Sequence, residues 1–212
     1  MQPAQPFPAS PQDPYRARSP QGAFGPIAST TRVVYTVVVA IMMLGFVTAV
    51  GGWTAALIAA DRSGTNEPDG TLFGVGLAGL FTVVFLLYVQ IGAGLVWIYN
   101  AWNWLPWDQR YTRHWRNWLT PSQVALMMLI PYFHYYWMFV ANCGLCDALD
   151  RLRVSYPTSR PAPKSLAIAA CACQLIVPFP VAAILWLIFM KRCEEMTREM
   201  SAAMAPRMAQ SF

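Results

Sequence analysis

Four long apolar stretches, set apart by the chain's charges, constrain this sequence more than any other feature. They run from about Val33 to Ala60, Thr71 to Tyr99, Ser122 to Ala148 and Ser165 to Met190. A helix crossing a bilayer core needs about 20 mostly apolar residues, and each stretch is long enough. In a water-soluble fold they would leave apolar surface beyond what a monomer tolerates. Only 12% of the 212 residues are charged against 56% hydrophobic, and the second stretch holds no charge. The expected fold is therefore all-α: an integral membrane bundle of four transmembrane helices within residues 32–192. Pro131, Pro178 and Pro180 fall inside the third and fourth stretches, where kinks are expected.

The flanking segments read differently. Residues 1–31 carry seven prolines and few aliphatic side chains, so they cannot bury enough surface to offset chain entropy, and a disordered tail is expected. Residues 193–212 read as a polar C-terminal tail, helical at its start. The net charge of +5 arises from 15 Lys and Arg against 10 Asp and Glu. The basic residues sit just outside the apolar stretches, where anionic phospholipids and insertion topology account for them, so nucleic acid is not an expected partner. With four spans, ten Lys and Arg fall on one face and five on the other, which puts both termini in the cytoplasm. Making the third stretch alone re-entrant at Pro131 gives the same ten to five. The five cysteines fit no disulfide framework.

Between the second and third stretches, Trp97, Tyr99, Trp102, Trp104, Trp107, Tyr111, Trp115 and Trp118 fall within 22 residues. Such rings collect at headgroup level. On a helical wheel over residues 107–118, Trp107, Tyr111, His114, Trp115 and Trp118 share an arc of about 100°, and Arg110, Arg113 and Arg116 take the opposite face. The spacing predicts an amphipathic helix lying in the lipid interface, aromatic face down and arginines toward phosphates.

Four polar residues lie inside the stretches: Gln90, His134, Asn142 and Gln174. Polar groups in hydrocarbon turn toward the bundle interior and find partners. Depth along ideal helices suggests pairing Gln90 with His134 and Asn142 with Gln174. Helix-to-helix hydrogen bonding is the plain role for such pairs, and a transport or proton path the sharper one. His134, Met138, Asn142 and Cys146 recur at steps of four and share a helical stripe. Cys143 and Cys146 form a C-x-x-C, and Cys171 and Cys173 a C-x-C. On a helix the last two point about 200° apart, so four sulfurs cannot converge on one metal. No metal or cofactor is expected. The glycines of the first two stretches (Gly45, Gly51, Gly52, Gly74, Gly76, Gly79, Gly92 and Gly94) read as close-packing positions. Gly52-x-x-x-Ala56 and Gly74-x-x-x-Ala78 match the small-xxx-small pattern.

Catalytic arrangements are missing: no nucleophile elbow, phosphate loop, zinc-binding H-E-x-x-H or intramembrane carboxylate pair occurs. The expected function is a non-enzymatic structural or interaction subunit of a membrane assembly, with a protein partner or a second copy alongside the bilayer. A small channel or transporter component comes second, and a soft-metal or haem redox protein third.

One stretch carries a resemblance. Thr120-Pro121 to Ala125, Ile130-Pro131-Tyr132-Phe133-His134-Tyr135-Tyr136-Trp137-Met138-Phe139-Val140-Ala141, Gly144-Leu145 and Asp147 to Asp150 resemble a group of uncharacterised bacterial multi-pass membrane proteins. Those read TP-x-x-A-V, IP-F-F-N-L-Y-W-x-F-x-A and G-L-x-x-D-L-N. The chain departs from them at His134 and Asp150, where the group has Asn. The resemblance implies a bacterial inner membrane and no particular activity.

Overall fold

A computed structural model describes residue 27 and residues 29–64, 70–176 and 180–209, with side chains to residue 204. The expected proline-rich tail lies almost wholly outside the described residues, as do residues 65–69 of the loop joining the first two stretches. Six α-helices hold most of the described chain. The helix α1 spans Thr30–Ser63 and α2 spans Gly70–Trp104; both are long and apolar enough to cross a membrane. Gly64 ends α1 in the left-handed region (φ 66°), where its N–H donates to the Asp61 carbonyl. A glycine is suited to that conformation because it has no Cβ.

The two helices pack antiparallel at backbone contact. A Cβ on Gly52 would stand 2.7 Å from the Gly76 nitrogen, and one on Gly79 would stand 2.7 Å from the Ala49 nitrogen and the Gly45 carbonyl. Glycine alone permits that approach. Of the two expected small-xxx-small pairs, Gly52 and Ala56 are buried, whereas Gly74 and Ala78 are exposed. Gly51, Gly74 and Gly92 have nothing within 4 Å of a built Cβ and pack against nothing. The hairpin's outer faces stay apolar: Leu44, Phe81, Phe85 and Tyr88 are each about two-thirds exposed or more.

The third and fourth stretches are not single helices. Helix α3 covers only Pro121–Met127, and α4 covers Phe133–Ser155. Pro121 sits in the first turn of α3, behind a capping box in which Thr120 and Gln123 exchange side-chain-to-backbone bonds. Pro131 and the positive φ of Tyr132 (62°) occupy the break. Beyond it the chain reverses. The Trp137 indole N–H donates to the Val124 carbonyl at 2.9 Å, although a continuous helix would separate these residues by about 20 Å. Helix α5 (Lys164–Ile176) and α6 (Val181–Ala209) repeat the arrangement, with Trp186 Nε1 donating to Gln174 Oε1 at 3.1 Å. Pro131 and Pro180 therefore fall between helices and not at the expected kinks, and Pro178 lies outside the described residues. Helix α3 packs chiefly on α2, while Leu126, Leu129, Ile130, Tyr135 and Tyr136 stay exposed around the break.

Two further expectations are corrected. The segment 107–118 is not a helix: Trp107–Gln109 forms a single 3-10 turn, and Tyr111–Thr112 (β1) pairs antiparallel with Asn117–Trp118 (β2). The four-residue turn between the strands ends at Arg116, with φ 51°. A lone helix of this length is marginal, and stronger tertiary contacts compete with it. Trp118 stacks on Trp107 and meets Tyr111 edge-on, Trp115 meets Trp137 edge-on at 5.2 Å, and Arg110 lies over the Trp107 ring. Arg151 donates to the carbonyls of Gln109 and Tyr111, and Thr112 sits against Gly144, which has no side chain to hold it off. The second correction is the tail. Helix α6 continues past Met190, and Cys193, Glu194, Met196, Thr197, Met200 and Met204 are buried.

The core lies where the N-terminal part of α1 and the C-terminal part of α2 meet α4 and α6. Trp97, Trp102, Trp137, Leu145, Leu149, Phe189 and Met200 are all fully or almost fully buried there. Tryptophan is buried readily only when its N–H is paired, and Trp102 donates to the Ala141 carbonyl. At the base of α4 and α5, Asp147 pairs with Lys164 at 2.7 Å and Asp150 accepts from the Ala162 N–H. The Asp147 hydrogen bond holds the Lys164 ammonium above its ordinary range. Ser159 donates twice to Glu199, which holds that carboxyl below its ordinary range.

Candidate functional site

All four polar residues expected inside the apolar stretches line one cavity of about 330 Å³. Described residues of α1, α2, α4, α5 and α6 converge on it. Gln90 comes from α2, His134 and Asn142 from α4, and Gln174 and Trp186 from either side of the second reversal. Tyr35 on α1 completes the polar set. Gln90 lies about 10 Å along α2 from the core residue Trp97.

The expected pairings are not the bonds that form. Gln90 donates from Nε2 to the Tyr35 hydroxyl at 2.6 Å, not to His134. Asn142 donates to the Met138 carbonyl of its own helix at 2.7 Å, and Gln174 takes the Trp186 indole N–H. Matching depth on two ideal helices was too coarse, since neither the third nor the fourth stretch continues straight. The Gln90 side chain keeps a deficit: its Oε1 is buried without a partner. Turning the amide over would let the Tyr35 hydroxyl donate to Oε1 but would orphan the N–H₂ instead. The His134 imidazole is half-buried and stacks near Tyr135, with no side-chain hydrogen bond among the described residues.

The cavity has a polar floor and an apolar rim. Tyr35, Gln90 and Asn142 are buried, while Leu87, Ile91 and Leu129 are exposed at the edge. Among the described residues no Asp, Glu, Lys or Arg lines it. A desolvated ion would find no counter-charge, whereas a neutral hydrogen-bonding group would find several partners.

Next to this cavity lies a residue that the sequence reading missed. Glu194 is 2% exposed, and it accepts from Arg32 Nε at 2.7 Å and from Trp97 Nε1 at 3.2 Å. It ties the start of α1 and the C-terminal part of α2 to the middle of α6. A signal existed in the supposed tail: Cys193, Met196, Thr197, Met200 and Met204 recur at helical spacing beside it. The cysteines make no ligand set. Cys143, Cys146, Cys171 and Cys193 are buried thiols, and among the described residues no three His, Cys, Asp or Glu stand where they could share a metal ion.

One consequence is testable directly. Replacing Gln90 by Leu and Tyr35 by Phe, singly and together, should give a coupling energy of about 0.5–2 kcal/mol in a double-mutant cycle. The pair Gln90→Leu with His134→Leu should be additive. Coupling in the second cycle and none in the first would reverse the assignment.

No protein-family model matches the chain, and no match was found among curated proteins or solved structures.

Proposed function

We propose that this chain is an integral membrane protein that crosses the bilayer twice, through α1 and α2, while α3–α4 and α5–α6 enter from one face as re-entrant hairpins. The observation that carries this reading is charge. If each hairpin returns to the face it left, every Lys and Arg except Arg62 lies on one face, fourteen of the fifteen. Four full crossings give only ten to five. Insertion orientation follows this bias, so the fourteen belong to the cytoplasm, together with both termini. The resemblance over Thr120 to Asp150 supports a bacterial inner membrane. The exposed Arg113 and Arg116 at the strand turn suit anionic phospholipids.

In that setting the chain acts as a non-enzymatic structural or interaction subunit, beside a protein partner or a second copy. The polar groups gathered around the cavity include no nucleophile–base pair and no pair of carboxylates, which supports this reading. The cavity itself favours a second reading, a small channel or transporter component for an uncharged solute. A soft-metal or haem protein stands third, with no gathered ligand set to support it.

Single cysteines in a background free of the five native ones test the topology. Asn66→Cys should react with an impermeant maleimide from outside the cell, and His114→Cys and Thr158→Cys only in inverted vesicles. Labelling of Thr158→Cys together with Asn66→Cys would restore four crossings. Cross-linking in native membranes followed by mass spectrometry tests for the partner, and a chain recovered without any cross-linked neighbour would count against the subunit role.

A further inference from the structure

We propose that the cavity between α2 and the two reversals binds an uncharged amphiphile, its hydroxyl or carbonyl head seated at Gln90 and Tyr35 and its apolar tail leaving past Leu87, Ile91 and Leu129. Three observations carry this. First, Gln90 is 9% exposed and one oxygen of its amide is buried with no partner. Buried amide atoms are nearly always satisfied, and the cost of leaving one bare exceeds the gain of a typical hydrogen bond. Second, the donors and acceptors around it carry no formal charge: the Tyr35 hydroxyl, the Asn142 and Gln174 amides and the unbonded His134 imidazole. Third, the rim is apolar and exposed: Leu87 and Ile91 lie on α2 beside its exposed Phe81, Phe85 and Tyr88, and Leu129 follows α3. A ligand arriving through such a rim comes from hydrocarbon, not from water.

The volume of about 330 Å³ suits a compact head and the first carbons of a chain, not a whole lipid. A phosphate head is disfavoured because no cation among the described residues lines the site, and burial of an unpaired anion is costly. Gly94 gives the site a second handle. It lines the cavity, and a Cβ built there meets nothing nearer than the Tyr35 ring at 4.0 Å. A larger side chain at Gly94 would fill the space beside the Tyr35 ring.

This inference rests on the membrane placement proposed above, and that placement has its own test in the maleimide labelling. The protein is reconstituted in phosphatidylglycerol nanodiscs containing one of three diazirine-tailed probes: diacylglycerol, a quinone or phosphatidic acid. After irradiation, labelled peptides are mapped by mass spectrometry. Diacylglycerol or the quinone should label residues 87–98 and 128–142 in the wild type, and phosphatidic acid should not. Which of the two uncharged probes labels more strongly distinguishes a hydroxyl head from a carbonyl one. Gly94→Leu and Gln90→Leu should each lower that labelling about tenfold, the factor expected for losing the space or one buried hydrogen bond. A melting temperature near the wild-type value identifies variants that still fold. Labelling by phosphatidic acid equal to that of the uncharged probes, or labelling confined to the outer faces of α1 and α2, would overturn the proposal. With the maleimide pattern intact, that result would reject the ligand and leave the topology standing.

Discussion

Arg32→Ala is expected to destabilise the protein by about 3 kcal/mol, because it strips a buried carboxylate of its counter-ion. Glu194 has 3% of its side chain exposed and Arg32 has 26%, so the glutamate would be stranded. Removing one member of a buried pair costs about 3–5 kcal/mol. The partial exposure of Arg32 puts this case at the low end, since some water reaches the pair. Glu194→Gln should cost less, because the amide oxygen can still accept from Trp97 Nε1. The double variant should then cost less than the sum. Unfolding in mixed detergent, followed by tryptophan fluorescence, measures all three. Salt supplies a second readout: a surface pair weakens with ionic strength and a buried one changes little. If Arg32→Ala changes stability by less than about 0.5 kcal/mol, the range of ordinary surface substitutions, then α1 is not held to α6 through this pair.

The other large effect is expected where α1 crosses α2. Gly79→Leu would drive a side chain into the Ala49 nitrogen and the Gly45 carbonyl, each 2.7 Å from the built Cβ. These are backbone atoms of a helix and cannot swing aside as a rotamer can. The helices must separate, which forfeits their contact along most of its length and costs on the order of 3 kcal/mol or more. Gly52→Leu meets the Gly76 backbone and should behave alike. Gly51→Leu and Gly74→Leu have nothing within 4 Å of the built Cβ and serve as controls. They should stay within about 0.5 kcal/mol of wild type, as exposed substitutions do. Cross-linking between cysteines placed on facing positions of α1 and α2 gives an independent measure. Equal loss in all four variants would mean that helix propensity or insertion, and not this contact, was being read.

These outcomes would also probe why the cavity exists. Tyr35 and Gln90 sit on the same helix pair as the glycine crossing, and their bond spans it. Separating α1 from α2 should therefore weaken the polar floor as well as the packing.

The sequence by itself determined what depends on composition, length and local pattern. Apolar runs free of charge produced α1 and α2 near their expected bounds, because a helix satisfies its own backbone whatever surrounds it. The start of α3 was not read from the sequence, although its signal is local: Thr120 and Gln123 form a capping box and Pro121 sits in the first turn. The isolated polar residues Gln90, His134, Asn142 and Gln174 were legible as a set, since hydrocarbon gives each a reason to turn inward. Tertiary structure decided the rest. An apolar stretch holding a proline can kink or reverse, and only the surface awaiting its second half selects between them. Here Val124 takes the Trp137 N–H and Gln174 takes that of Trp186, so both stretches reverse. The angular separation of aromatic and basic residues over 107–118 is real, yet a β pair held by Arg151 packs Trp107, Tyr111 and Trp118 together without a helix. Glu194 looked like a tail residue because the charges around it are exposed on one side of α6. Its burial became visible only once Arg32 and Trp97, more than 90 residues away, stood beside it.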